Sequence, residues 1–91
     1  MAPSDSSDRR LDIVVFGATS FVGQILCAYL ARRHGVDGPL KWAIAGRNPD
    51  KLDAAAVDTG ADVEQIIADA SDAEAMARLV ADTRVVISTV G

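Results

Sequence analysis

The sequence predicts an α/β fold built on a doubly wound parallel sheet, and three observations indicate it. Short apolar runs alternate along the chain with stretches in which apolar residues recur at helical spacing. The first run, residues 11–16, is almost wholly apolar, which is typical of a strand covered on both faces. A loop bounded by glycines then leads directly into the first helical stretch. Together these features favour stacked β-α-β units.

The first two predicted elements are a strand over residues 11–16 and a helix over residues 21–34. Apolar residues of the helical stretch follow i, i+3, i+4 spacing, which places them on one helix face. We expect that face to pack on the sheet. Its members are Val22, Ile25, Leu26, Tyr29 and Leu30.

The middle of the chain predicts a second strand over residues 40–45, a helix that begins at Pro49, and a third strand over residues 63–68. Proline suits the first turn of a helix because the N–H that it lacks has no intrahelical partner there. Asn48 stands directly before it and is a favoured N-cap residue.

The last third of the chain predicts a third helix and a fourth strand. Ser71 and Glu74 have the spacing of a capping box, so we expect Ser71 to be the N-cap. The fourth strand is expected over residues 84–90, which are as apolar as a buried strand. The apolar stripe expected on the helix consists of Ala73, Met76, Ala77 and Val80.

Four strands joined by three crossover helices give the pattern β-α-β-α-β-α-β. Right-handed crossovers then favour a parallel sheet with strand order 3-2-1-4, which is part of a Rossmann-type sheet. The fourth strand has no later element to cover its outer edge, and a long apolar edge invites aggregation. We therefore expect residues 11–91 to be a partial Rossmann dinucleotide-binding domain that is truncated at its C-terminus.

Composition restricts the class of function. The chain of 91 residues has 9 basic and 13 acidic side chains, and its net charge of −4 opposes the phosphate neutralisation that nucleic-acid binding needs. The lone Cys27 leaves neither an internal disulfide nor a zinc site with the usual ligand spacing, so we expect no metal and a reducing, cytoplasmic setting. No stretch approaches the roughly 18 apolar residues of a transmembrane segment. Residues 1–10 lack the apolar core of a secretory signal and are expected to be a disordered tail.

The loop over residues 17–23 follows the first strand and opens the first helix, which is the context of a dinucleotide fingerprint. Gly17 supplies the tight turn, and Gly23 allows the helix to pack closely on the strand. The exposed N–H groups at the helix start would hold a pyrophosphate. The middle position carries Ser20 instead of glycine. Its Cβ crowds the place where the phosphates approach, or its hydroxyl donates a hydrogen bond to a phosphate oxygen.

The end of the second strand favours NADP(H) over NAD(H). NAD-preferring domains usually carry a carboxylate there for the ribose 2′-hydroxyl, but this chain has Arg47 and no acidic residue before Asp50. An arginine pairs with a 2′-phosphate and stacks on adenine. Asp69, after the third strand, is a candidate acceptor for the adenine amino group, and Thr89 and Gly91 are expected to border the cofactor.

The fingerprint describes binding and no chemical step. Gln24 stands where a Walker A loop needs lysine, so that alternative is set aside. A plain strand-to-helix turn in a module that binds no dinucleotide remains open. The chain offers no general acid and no nucleophile with a paired base. We therefore expect no catalytic residue among its 91 positions and no activity of this chain alone.

Three stretches resemble the N-terminal domain of saccharopine dehydrogenase-like proteins, and most of all their trans-acting enoyl reductase branch. They are residues 12–24 (DIVVFGATSFVGQ), 45–47 (AGR) and 86–91 (VISTVG). The resemblance implies that the loop binds the pyrophosphate of NADP and that Arg47 faces the ribose phosphate. The loop residues implicated by position are Gly17, Thr19, Ser20, Phe21 and Val22.

The same resemblance implies hydride transfer from NADPH to a carbon–carbon double bond of a lipid or polyketide intermediate. A larger C-terminal domain would complete the site, so a small-molecule or lipid-like substrate is expected to bind only through that further domain. NmrA-like regulators carry related loops and bind the cofactor as a signal, without catalysis. The sequence leaves the reductase and the regulator open.

Overall fold

The structure, a computed structural model, describes residues 11–88 as four strands and three helices. In chain order these are β1 (Leu11–Phe16), α1 (Phe21–His34), β2 (Trp42–Gly46), α2 (Pro49–Thr59), β3 (Glu64–Ile67), α3 (Ala73–Asp82) and β4 (Thr83–Ser88). All three strand pairs are parallel, and the order is β3-β2-β1-β4. The predicted fold class and strand order are confirmed. The expected tail, residues 1–10, and the predicted end of the fourth strand, residues 89 and 90, lie outside the described residues.

Helices cover both faces of the sheet. Val15 of β1 belongs to the apolar cluster under α1 and α2, together with Cys27 and Leu52. Its neighbours Val14 and Phe16 belong to the opposite cluster, which α3 completes. This alternation follows from the two-residue period of a strand, so an apolar run with no polar interruption fits a strand buried on both sides.

The face of α1 that packs on the sheet differs from the predicted one. Gly23, Cys27 and Leu30 are the buried residues of this helix. Small residues on this side allow α1 to approach β1 closely, and this requirement sets the rotation of the helix. The predicted face was wrong for three residues, which point outward and are exposed by 59%, 56% and 49%: Val22, Ile25 and Tyr29.

The start of α3 also differs from the prediction. The N-cap is Asp72, whose Oδ1 accepts a hydrogen bond from the N–H of Ala75 at 3.2 Å. Ser71 is not the cap, because its N–H and hydroxyl both donate to the carboxylate of Asp69. The apolar stripe is rotated accordingly: Leu79 is buried with Ala75 and Met76 half-buried, whereas three expected members are exposed, namely Ala73, Ala77 and Val80.

The predicted cap of α2 is confirmed, and the strand ends shift slightly. Asn48 caps α2, and its Oδ1 accepts hydrogen bonds from the N–H groups of Asp50 and Lys51 at 3.0 and 3.1 Å. β2 begins at Trp42 and continues through Gly46, so it starts and ends later than predicted. β4 begins at Thr83, directly after α3 and one residue earlier than predicted.

Candidate cofactor-binding site

The loop between β1 and α1 lies at the carboxyl end of the sheet. Gly17 has a φ of 85°, a backbone conformation that side-chain-bearing residues rarely adopt, and it makes the turn out of β1. The N–H groups of Gly17 and Ala18 donate to the carbonyl oxygen of Ala45, at 3.0 and 3.3 Å. These bonds attach the loop to the end of β2.

Gly23 lies under the loop in the first turn of α1. A Cβ added there would overlap the carbonyl oxygen of Gly17 and would lie 2.9 Å from both the Cα of Ala18 and the Oγ of Ser20. No side chain fits in this space. Gly17 and Gly23 therefore occupy the positions that the tight turn and the close helix–strand packing require.

Ser20 is the N-cap of α1. Its Oγ accepts a hydrogen bond from the N–H of Gly23 at 3.0 Å and donates one to the carbonyl oxygen of Gly17 at 2.9 Å. The hydroxyl proton is thus directed into the loop. The hydroxyl thus serves as the helix cap and holds the loop, and its donation to a phosphate stays a prediction.

The start of α1 offers backbone donors for an anion. The N–H groups of Phe21 and Val22 open α1 and have no hydrogen-bond partner within residues 11–88. They lie at the positive end of a helix of 14 residues, where anions are stabilised. The side chain of Gln24 stabilises the loop, because its Nε2 donates a hydrogen bond to the carbonyl oxygen of Thr19 at 3.1 Å.

A cleft of about 410 Å³ opens beside this loop. It lies where β1, β2 and β3 end, which is the side of an open parallel sheet on which ligands bind. The N–H of Ala68 donates to the carbonyl oxygen of Gly46 at 2.9 Å and holds the ends of β2 and β3 together. The cleft is lined by Phe16, Gly17, Thr19, Gly46, Arg47, Ala68, Asp69 and Ala70.

Arg47 and Asp69 are the charged residues of this cleft. The carboxylate of Asp69 accepts hydrogen bonds from the N–H of Ser71 at 3.0 Å and from its Oγ at 2.9 Å. These bonds hold the pKa of Asp69 below its ordinary value, and the nearby guanidinium of Arg47 lowers it further. Within residues 11–88 no group of acidic, histidine or cysteine side chains is placed to hold a metal ion.

The cleft brings together four of the residues singled out from the sequence: Gly17, Thr19, Arg47 and Asp69. Ser20 and Gly23 support the loop from below, and the side chains of Phe21 and Val22 point into solvent. Thr89 and Gly91 lie outside the described residues. Sequence reasoning did not assign Phe16, Gly46, Ala68 or Ala70 to the site. The small residues among them, at the ends of adjacent parallel strands, could have indicated the floor of a cleft.

Comparison with known protein families identifies the family to which this loop and cleft belong. Residues 13–91 match the model of the saccharopine dehydrogenase NADP-binding domain. The chain belongs to that family. The match covers the glycine-bounded loop, the Arg47 strand end and the cleft between them, and it confirms the resemblance inferred from the sequence.

Individual relatives agree. The chain is 34% identical over 89 residues to a trans-acting enoyl reductase of Mycobacterium ulcerans, with 94% of this chain and 21% of the relative covered. It is 35% identical over 89 residues to a lipid droplet localized protein of Caenorhabditis elegans, with 90% of this chain and 21% of that relative covered. The chain therefore spans about a fifth of the length of the curated relatives that it matches.

Among solved structures, the chain resembles a short chain dehydrogenase/reductase family protein with a TM-score of 0.68 and 26% identity. The match covers 92% of this chain and 35% of that one. The fold and the family together identify a nicotinamide dinucleotide-binding domain of an oxidoreductase family. Over residues 11–88, none of the helices combines the length and the apolar character needed to cross a bilayer.

Proposed function

We propose that this domain binds NADP(H) in preference to NAD(H) and that Arg47 recognises the 2′-phosphate. Arg47 directly follows β2 and lines the cleft with an exposed guanidinium. A guanidinium presents several N–H donors in a planar fork that matches a phosphate. This single placement carries the proposal, because a domain suited to an unphosphorylated ribose has a carboxylate at this strand end.

The rest of the cleft fits a dinucleotide. The unpaired N–H groups of Phe21 and Val22 suit the pyrophosphate, and the absence of a side chain on Gly17 lets the backbone approach it. Asp69, fixed by Ser71, lines the same cleft, and we assign its carboxylate to the adenine amino group. When bound, the nicotinamide ring supplies hydride transfer, and the residues of this domain bind and orient the cofactor.

For the whole protein we propose an oxidoreductase that reduces an enoyl group of a lipid or polyketide intermediate. The name of the M. ulcerans relative supports this reaction class. The charged side chains of the cleft are one guanidinium and one carboxylate already engaged by Ser71, which suits binding more than proton transfer. We propose that residues 11–91 form a partial Rossmann domain, that the substrate and the catalytic groups belong to further polypeptide, and that the protein acts in the cytoplasm.

Calorimetric titration of the folded chain with NADPH and with NADH tests the cofactor proposal. A charge-assisted hydrogen bond is worth about 1.5 to 3 kcal/mol, so we expect NADPH to bind about tenfold to a hundredfold more tightly. Arg47→Ala should remove this difference. Arg78→Ala is the matched control, since Arg78 is an exposed arginine of α3 that lies outside the cleft. Equal affinities for the two cofactors, or a preference that survives Arg47→Ala, would overturn the proposal.

A further inference from the structure

Helix α1 carries apolar residues on two opposite faces. Cys27 and Leu30 face the sheet and are buried, whereas Val22, Ile25 and Tyr29 lie on the opposite side and are largely exposed. Phe21 extends the exposed side to the first residue of the helix and is 80% exposed. A contiguous patch of exposed apolar side chains on a folded domain marks an interaction surface. We therefore expect the outer side of α1 to contact a second apolar environment.

The charge of α1 differs from that of the chain around it. The chain has a net charge of −4, but α1 contains no acidic residue and ends in Arg32, Arg33 and His34. Helix α2, by comparison, contains Asp50, Asp53 and Asp58. The C-terminal end of α1 is thus locally basic in a chain whose net charge is negative.

The two arginines share the outer side with the apolar residues. Arg32 and Arg33 follow Tyr29 by three and four positions, and Tyr29 follows Ile25 by four, so all of them lie along one face. Both arginines are exposed, and neither forms an ion pair with another of the described residues 11–88. We call this surface the outer face of α1; it comprises Phe21, Val22, Ile25, Tyr29, Arg32 and Arg33.

We propose that the outer face of α1 docks on an anionic lipid surface. A helix with an apolar stripe and arginines lies in the plane of a membrane interface, where its apolar side chains enter the boundary between headgroups and acyl chains. The guanidinium groups pair with lipid phosphates and with anionic headgroups. The exposed residues of this face supply both requirements, and the acidic residues of the domain lie on other elements.

The charges favour lipid over a second copy of this chain. In a pair of copies that meet through this face, neither α1 has a carboxylate to pair with the arginines of the other. An anionic bilayer supplies that counter-charge. Docking of this kind does not depend on the proposed cofactor preference, so the two can fail separately.

Sedimentation with sucrose-loaded vesicles tests the proposal on the intact chain. We expect the chain to partition onto vesicles of phosphatidylcholine mixed with phosphatidylserine, and less onto phosphatidylcholine alone. Ile25→Asp should weaken this partition by about tenfold, because it removes an apolar side chain from the docking face and adds a negative charge like that of the lipid. The matched control is Val57→Asp, which introduces the same charge at a residue of α2 that is 75% exposed, and it should partition like the unmodified chain.

A second variant keeps the apolar residues intact. Replacing both arginines, Arg32→Gln with Arg33→Gln, should weaken binding to the mixed vesicles by about fivefold for each arginine removed. Circular dichroism confirms that each variant is folded. The proposal is overturned if the unmodified chain does not partition onto mixed vesicles, or if Val57→Asp loses as much binding as Ile25→Asp. A dimer in analytical ultracentrifugation that Ile25→Asp dissociates, without vesicle binding, would instead assign the face to a second copy.

Discussion

The Oγ atom of Ser20 accepts a hydrogen bond from the backbone N–H of Gly23, 3.0 Å away. The same oxygen carries the proton that is donated to Gly17 at 2.9 Å. One side chain thus links the two glycines that shape the loop and caps α1. Ser20 stands where the fingerprint has glycine, and its hydroxyl turns inward, while the N–H groups of Phe21 and Val22 have no partner among residues 11–88.

The first prediction concerns the stability that this cap provides. Ser20→Ala removes the acceptor for Gly23 and the donor to Gly17, and we expect the free energy of unfolding to fall by about 1 kcal/mol. Ser20→Gly should cost only a few tenths of a kcal/mol, since glycine is itself tolerated at an N-cap. Urea titration followed by circular dichroism measures both. Equal losses for the two variants would contradict a capping role.

The second prediction separates the two roles that the sequence left open for Ser20 in cofactor binding. With its hydroxyl already directed to Gly17, Ser20→Gly should leave the NADPH affinity within about twofold, which is well below one lost hydrogen bond to a charged group. A tenfold weaker affinity would show that the hydroxyl contacts a phosphate. A tenfold tighter affinity would show that its Cβ obstructs the site. Calorimetry on the folded variant distinguishes the three outcomes.

The third prediction concerns the contact of α1 with the loop. Gly23→Ala places a Cβ against the carbonyl oxygen of Gly17 and forces the helix away from β1, so we expect a loss of about 1 to 3 kcal/mol in unfolding free energy. Gly46→Ala is the matched control. A Cβ at Gly46 meets only the side chain of Leu52, at an ordinary 3.5 Å. Thermal unfolding should separate the two variants, and similar melting temperatures would refute the close packing at Gly23.

Regular elements of this fold could be predicted from sequence because their signals are local. Each signal depends only on residues close to it in sequence: the apolar run of β1, the Asn48–Pro49 helix start and the glycine spacing of the loop. The structure has β1, the start of α2 and the turn of the loop as expected. The strand order followed from crossover handedness. The paired ends of β1 and β2 then place the loop beside Arg47.

Helix rotation was not predictable from apolar periodicity, because α1 has apolar residues on both sides. The periodicity selected a stripe that joins the exposed Ile25 and Tyr29 to the buried Leu30. The close approach to β1 instead selects the side with Gly23 and Cys27. The predicted N-cap of α3 was wrong for a related reason. Ser71 and Asp72 are both good caps, and the engagement of Ser71 by Asp69 decides between them. Such choices depend on contacts between elements, which a single sequence does not display.

The fourth prediction concerns Asp69. Its pKa is lowered first by the N–H of Ser71, then by the Ser71 hydroxyl, and least by Arg47. Ser71→Ala keeps the backbone donor, so we expect the pKa to rise part of the way to its ordinary value, and Arg47→Ala to raise it less. Because the lowered pKa belongs to a carboxyl, the bonds to Ser71 persist at neutral pH and are lost only as the pH falls through that lowered pKa. NMR titration of the Asp69 carboxyl carbon measures the pKa in each variant. A larger rise in Arg47→Ala than in Ser71→Ala would contradict this prediction.

The fifth prediction concerns Cys27, which lies on the sheet-facing side of α1 and is 1% exposed. Burial raises the pKa of its thiol from 9.0 to about 11. The folded state therefore keeps the thiol protonated at pH values where the unfolded chain ionises, so this stabilising contribution is present below pH 9.0 and is lost as pH rises towards about 11. We expect the unfolding free energy to fall more steeply over this range than in Cys27→Ala, as measured by urea titration at several pH values. Parallel pH profiles for the two proteins would mean that the thiol ionises equally well in the folded chain.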